Sequence, residues 1–333
     1  MANLYLTEQG SILRKTSDRL VVEKDHQTLL DVQCHKVDTL LIFGNVQVTT
    51  PAIHKLFQHG IELALLTTRG RLVGQITSPM SKNIALRLAQ YERYRDAAFI
   101  LEFSRVIVRG KIRNSLELLR RYAYSHTETD LREELAGLER AEAEAQEKAT
   151  VGELVGTEGS AARTYFAGLA KVVLGEFQFA GRRKRPPPDP VNALLSLGYT
   201  LVFNEISSLL DGVGFDPYLG FFHKPDYGRT SLAADLLEEF RAPLVDRLTL
   251  TLVNNRVLKN EDFAPHPRSG GVYLKKEAMK RYFVEYERYV TRLFKHPETA
   301  EETDFRRCFR LQIQRLARAI RDREVYSPFF FDR

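Results

Sequence analysis

Apolar residues in the first quarter of the chain come in short β-prone runs, and beyond it they fall at helical spacing. Between residues 4 and 76 the runs include Ser11-Ile-Leu-Arg14, Arg19-Leu-Val-Val-Glu23, Thr39-Leu-Leu-Ile-Phe43 and Glu62-Leu-Ala-Leu-Leu66. Gly10, Gly44, Gly60 and Gly70 stand at the turn positions between them, and runs this short bounded by turn residues predict strands. The exception is Thr50-Pro-Ala-Ile-His-Lys-Leu-Phe-Gln-His59. A Thr cap, a Pro at the first helical position and apolar spacing predict a short helix there, between two strands.

From about Lys82 the period changes. Ala85, Leu86, Leu88, Ala89 and Tyr91 open a helical pattern that continues through Ile100 and Phe103 to Leu118. Further helices are expected after Glu158, across Asn192 to Leu210, and over Leu232–Leu250, Lys275–Lys295 and Asp304–Asp322. The alanine- and glutamate-rich stretch at 129–149 alternates charge as a solvent-exposed helix or helical hairpin does, and carries no evident chemistry. Arg185-Pro-Pro-Pro-Asp-Pro190 is stiff and extended, because each proline restricts the residue before it. Asp189 is placed to cap the next helix, with Pro190 at its first position. The pattern predicts an α+β chain, β-rich and sandwich-like over residues 1–80, a linker and helix start over 81–95, and a mainly helical domain over 96–333. No unit of fixed period repeats.

Length supports two domains, since single cores stop growing near 250 to 300 residues and this chain has 333. The amino terminus lacks a basic region followed by an apolar run, so neither export nor a membrane span is expected. Cys34 and Cys308 lie far apart with no CxxC pair, which supports neither a disulfide framework nor a cysteine zinc site and fits a reducing cytoplasm. The net charge of +6 is a modest bias toward polyanions. Its densest run is Arg182, Arg183, Lys184 and Arg185, which is either a solvated loop or a candidate DNA-backbone contact.

Three segments place titratable groups inside core-like stretches. In the first, Glu158 lies between Gly156 and Gly159, just ahead of an apolar helix, and is either a carboxylate turned into a site or a surface group favoured by a helix start. His223 follows Gly220-Phe-Phe and precedes a turn, so it can ligate an ion or hydrogen-bond to backbone. Asp235 and Glu238, three apart in Ser231-Leu-Ala-Ala-Asp-Leu-Leu-Glu-Glu-Phe-Arg241, share a helix face. That pair is either an acidic outer face or a site whose repulsion a cation relieves. Carboxylates with one imidazole suit a hard divalent ion, Mg²⁺ or Mn²⁺, whose usual work is on phosphate esters. Glu205, in an apolar helix, either orients a ligand or makes a buried structural hydrogen bond. His54 and His59 read as surface or structural histidines.

The same segments, taken in order, resemble the Cas1 family, the metal-dependent integrase-endonucleases of CRISPR adaptation. The likeness runs through Leu4-Tyr-Leu-Thr-Glu8, Leu41-Ile-Phe-Gly-Asn-Val46, Gly156-Thr-Glu-Gly-Ser-Ala-Ala-Arg163 and Arg185-Pro-Pro-Pro-Asp-Pro-Val-Asn-Ala-Leu-Leu-Ser196 with Gly198-Tyr199. It continues in Gly220-Phe-Phe-His223, Asp235-Leu-Leu-Glu-Glu-Phe-Arg241 and Gly270-Gly-Val-Tyr-Leu274. The resemblance implies Glu158, His223 and Glu238 as metal ligands, with Asp235 as the adjacent site acid. It further implies a dimer through the β domains and a complex with the small partner Cas2. That complex joins 3′ hydroxyl ends of a captured DNA fragment to the CRISPR repeat by transesterification, without a nucleotide cofactor, and the isolated family can cut branched DNA. An inactive DNA-binding scaffold is the alternative, against which the complete set of four site residues argues.

Overall fold

The computed structural model describes residues 2–76, 81–183, 185–267 and 269–331. It divides into two units, Met1–Met80 with Leu274–Glu287, and Ser81–Tyr273 with Arg288–Arg333. The architecture is α+β, with the main sheets in the first unit and helices dominating the second.

The first unit has strands β1 (Ala2–Leu6), β2 (Ile12–Thr16), β3 (Arg19–Lys24), β4 (Gln27–Gln33), β5 (Val37–Phe43) and β6 (Gln47–Val48). After helix α1 (Thr50–Gln58) come β7 (Glu62–Leu66) and β8 (Leu72–Ile76). One sheet has the order β1-β5-β7-β8, its first three strands parallel with Leu4 opposite Leu40 and Leu40 opposite Leu63. The other, β4-β3-β2-β6, is an antiparallel meander with β6 added parallel at its edge. Leu6, Leu40 and Ile42 from the first sheet, Leu13, Leu20 and Val22 from the second and Leu56 of α1 form one buried cluster, so the sheets close on a shared core.

The second unit opens with α2 (Ile84–Arg93) and α3 (Ala97–Ser125). The single helical pattern expected from Lys82 onward is broken at Asp96, whose Oδ1 accepts the backbone N–H groups of Ala98 and Phe99 at 3.1 and 3.0 Å and starts a new helix. Next come α4 (Arg132–Glu147), α5 (Val151–Val172) and α6 (Pro190–Val213). Leu138, Ala141 and Ala145 bury one face of α4. Asp189 caps α6 as expected, accepting the N–H of Asn192 at 2.8 Å. Among the described helices α6 is long and apolar enough to cross a membrane, but 67% of its most apolar window is buried in the fold, as in a core helix.

The helix expected over Leu232–Leu250 is three pieces: α7 (Ser231–Leu237), a π-helical turn (Arg241–Asp246) and α8 (Arg247–Asn254). Pro243 has no N–H to give the Glu239 carbonyl four residues back, and the Asn114 side-chain amide donates to that carbonyl instead at 2.8 Å. Helix α9 (Lys276–Val290) begins within the first unit, a departure from its expected place in the helical domain. There Phe283 stacks on Tyr5 at 4.3 Å, Glu287 accepts from the Tyr5 hydroxyl at 2.6 Å, and Lys276 pairs with Glu8 at 2.7 Å. The last helix, α10 (Phe305–Arg321), is capped by Asp304, which accepts the Arg307 N–H at 2.9 Å.

Candidate active site

Glu158 lies inside α5, not ahead of it. The helix starts upstream at a reciprocal cap, in which Thr150 Oγ1 accepts the Glu153 N–H at 3.2 Å and Glu153 Oε2 accepts the Thr150 N–H at 3.0 Å. Gly156 and Gly159 are therefore helical positions, and a Cβ at either would meet nothing within 4 Å. Helical geometry, rather than loop freedom, aims this carboxylate.

His223 comes from the loop before α7. Gly220 lets that loop pass close by, since a Cβ there would lie 2.7 Å from the Ser231 backbone and 2.9 Å from Asp235 Oδ2. Asp235 is fully buried and gathers the loop: Oδ2 accepts the N–H groups of Phe221 and Phe222 at 2.7 and 3.1 Å, and Oδ1 accepts the His223 N–H at 2.8 Å. Oδ1 also lies 2.8 Å from His223 Nδ1. A carboxylate only accepts, so Nδ1 carries a proton, and in the neutral ring the lone pair is then the one on Nε2. That Nε2 stands 3.9 Å from Glu238 Oε1. Asp235 thus meets the site through the imidazole and is occupied by its own hydrogen bonds.

Glu238, at the C-terminal end of α7, is buried with Oε2 at 2.7 Å from Lys111 Nζ and 2.8 Å from Arg241 Nε. Burial works to raise its pKa, but Arg241, Lys111 and His223 outweigh burial and hold it well below the usual carboxylate range. Lys111, on α3, also pairs closely with Glu158 Oε1, so one ammonium joins the two carboxylates. Burial would lower the Lys111 pKa; Glu238 and Glu158 together raise it instead.

Glu158, His223 and Glu238 line a cavity of about 490 Å³ whose other lining includes Arg163, Arg182 and Arg229. Deeper in, Asp246 accepts the hydroxyls of Tyr199 and Tyr165 at 2.5 and 2.7 Å. Burial pushes the Asp246 carboxyl up to about 6, although both hydroxyls pull the other way. The Tyr199 ring carries Arg241 on its face at 4.4 Å and Arg182 at 5.3 Å.

The basic run is not one uniform surface patch. Arg182 turns inward, donating to Asn192 Oδ1 at 2.9 Å and Ser196 Oγ at 3.0 Å, while Arg183 and Arg185 are exposed and Lys184 lies outside the described residues. Glu205 is not in the site: it forms a buried pair with Arg306, at 3.0 and 3.2 Å, that ties α6 to α10. His54 is exposed. His59 Nε2 and Lys55 Nζ both contact Asp18 Oδ1, at 2.8 and 2.7 Å. Among the described residues, Asp18, Cys34 and His59 bring potential metal-ligand atoms within 4.8 Å of one another. Lys55 already neutralises that Asp18, and burial raises the Cys34 thiol above its usual range, so the trio reads as structural. Lys111, Arg163, Arg241 and Asp246 are the site residues that sequence reasoning missed. Arg241 sat three residues past Glu238 in a segment already singled out, whereas nothing local distinguishes Lys111 from the other cations of α3.

The family model for CRISPR associated protein Cas1 matches residues 4–288. A curated relative, the CRISPR-associated endonuclease Cas1 1 of Moorella thermoacetica, is 34% identical, with 98% of each chain covered. The solved structure of a Cas1 protein from Thermotoga maritima superposes with a TM-score of 0.80 at 26% identity, covering 96% of this chain and 97% of that one. A chain of a Cas6-RT-Cas1–Cas2 complex superposes with a TM-score of 0.83 at 25% identity, over 98% of this chain and 36% of that one. The α+β fold is thus that of a class of CRISPR-associated proteins whose curated members are named endonucleases. The chain belongs to the Cas1 family.

Proposed function

We propose that this protein is a divalent-metal-dependent DNA endonuclease and integrase, which inserts short DNA fragments as new spacers into a CRISPR array and also cleaves branched DNA. The observation that carries the reading is the grouping of Glu158, His223 and Glu238 at one cationic point beside an arginine-lined cavity. The donors fit a hard divalent ion: two carboxylates and an imidazole whose Nδ1 proton is held by Asp235, so that the neutral ring presents the Nε2 lone pair. Mg²⁺ or Mn²⁺ held by these three residues would supply Lewis-acid stabilisation of charge at a phosphodiester. Asp235 orients the imidazole. Arg163, Arg182 and Arg229 offer donors to phosphate oxygens and hold the backbone at the cavity mouth. In joining, the 3′ hydroxyl oxygen of the fragment bonds to phosphorus as the target strand's own P–O bond breaks, and the hydroxyl proton leaves to solvent while the departing oxygen gains one. One phosphodiester replaces another, so no nucleotide cofactor is required.

The β-rich residues 1–80 serve assembly of a homodimer, residues 81–95 link, and the helical residues 96–333 carry the chemistry, in a complex with Cas2 in the cytoplasm. Structural likeness to a chain of a Cas6-RT-Cas1–Cas2 complex supports the partner, and two buried unpaired cysteines suit a reducing compartment. The test is a joining assay with the intact protein, its cognate Cas2, a short labelled duplex and repeat-containing DNA. Branched products are expected with Mg²⁺ or Mn²⁺ and no ATP, and are lost with a 3′-deoxy end or with Glu158→Ala, His223→Ala or Glu238→Ala. Full joining by Glu158→Ala would overturn the reading in favour of a scaffold.

A further inference from the structure

Lys111 occupies an unusual position for a lysine in the middle of a long helix. Its ammonium contacts Glu158 of α5 and, at 2.7 Å, Glu238 at the end of α7, two carboxylates from different parts of the fold. Only 17% of its side chain and 4% of the Glu238 side chain are exposed, so water screens the contact weakly. Arg241 also pairs with Glu238, at 2.8 Å, but stands against that carboxylate without bridging it to Glu158. A buried and a partly buried carboxylate that converge without a shared cation repel each other. Lys111 is the shared cation here.

A hard divalent ion draws on the same oxygen lone pairs, at about 2.1 Å for Mg²⁺. An ion and an ammonium therefore cannot both lie between these carboxylates. The flexible four-carbon stem of a lysine can swing its charge aside, and Lys111 itself lines the cavity that offers the room. We infer that Lys111 is a surrogate cation: it holds Glu158 and Glu238 together in the metal-free protein, and a divalent ion must displace it to bind, so Lys111 sets the metal threshold of the site. The inference rests on the metal role proposed above for these carboxylates. It makes Lys111 a positioning residue whose charge opposes metal loading, the reverse of what a residue that merely shapes the site would do.

The test measures Mn²⁺ binding to the intact protein by calorimetry and by the electron paramagnetic resonance signal of free Mn²⁺. Wild type is compared with Lys111→Met, Lys111→Arg and Glu158→Ala. Lys111→Met removes the competitor and should bind Mn²⁺ at least about tenfold more tightly, which corresponds to 1.4 kcal/mol. Its metal-free melting temperature should fall, and its Mn²⁺-induced rise in Tm should exceed that of wild type. Lys111→Arg keeps the charge and should not tighten binding. Unchanged or weaker Mn²⁺ affinity in a folded Lys111→Met protein overturns the inference. Should that variant not fold, acetylation of wild-type Lys111, normalised to exposed Lys259, should rise several-fold when Mg²⁺ is added. Equal labelling with and without Mg²⁺ would equally defeat the displacement. Glu158→Ala separates the two levels: if it leaves Mn²⁺ affinity unchanged, the metal reading and this inference fall together. If it weakens binding while Lys111→Met does not strengthen it, only the role of Lys111 falls.

Discussion

Asp235→Asn changes one atom of the site and has two computable consequences. The carboxylate faces four N–H donors, the backbones of Phe221, Phe222 and His223 and the His223 ring, at 2.7, 3.1, 2.8 and 2.8 Å. An amide supplies one acceptor oxygen and one donor nitrogen. With the nitrogen in place of Oδ2, the Phe221 and Phe222 N–H groups both face a donor, and at roughly 1–3 kcal/mol for each orphaned buried donor the cost is about 2–6 kcal/mol. With the nitrogen in place of Oδ1, one backbone N–H is orphaned at about 1–3 kcal/mol, and the ring must accept at Nδ1 and move its proton to Nε2. The second arrangement costs less stability and removes the lone pair that would ligate metal. Asp235→Asn should therefore lose at least about 1–3 kcal/mol in urea unfolding without metal, and bind Mn²⁺ roughly 10–100-fold more weakly by calorimetry. Stability within about 0.5 kcal/mol of wild type together with unchanged Mn²⁺ affinity would refute the hydrogen-bonding argument, since that is the range of a surface substitution.

Arg182→Ala should suppress joining, because Arg182 faces the cavity, whereas Arg183→Ala should only weaken DNA binding across unrelated sequences; filter binding over a salt series should show a log–log slope shallower by about 0.9 for each phosphate that is no longer neutralised. The buried Asp246 carboxyl, pushed up to about 6, holds its proton more tightly in the folded than in the unfolded protein. Stability is then greatest below the unfolded value near 3.9 and falls as pH rises from about 4 through about 6, by roughly 3 kcal/mol. Urea unfolding at pH 4 to 7 should show that contribution, and Asp246→Asn should reduce the slope by that amount, leaving the part due to buried Glu239, whose carboxyl burial raises to about 7. Burial raises both thiols, Cys308 to about 12, so neither Cys34 nor Cys308 should react with a thiol-disulfide reagent in the native protein, and both should do so once it is unfolded.

Local chemistry made much of the chain legible before its fold was known. Period and turn residues marked the strands around Gly10, Gly44, Gly60 and Gly70, and Pro51 placed α1. Asp189 with Pro190 set the start of α6, because a cap acts within one turn and is written in adjacent residues. The Thr150–Glu153 cap was equally local, and reading it would have put Glu158 inside its helix. Pro243 carried a cue to the broken helix, but the partner that stabilises the break, Asn114, lies 125 residues from the carbonyl it serves.

The site residues themselves could be named from the sequence as carboxylates and an imidazole in core-like stretches, since residue type alone limits which ions they suit. What they do to one another was decided by the tertiary structure. Asp235 turned out to fix the His223 tautomer, Glu205 to belong to Arg306, and Arg182 to face inward while Arg183 faces out. Lys111 reaches Glu158 across 47 residues of chain, and Asp246 collects hydroxyls from 47 and 81 residues away. Electrostatics in a partly buried site depends on distance and exposure in space, and neither is a function of spacing along the chain once several helices pack together.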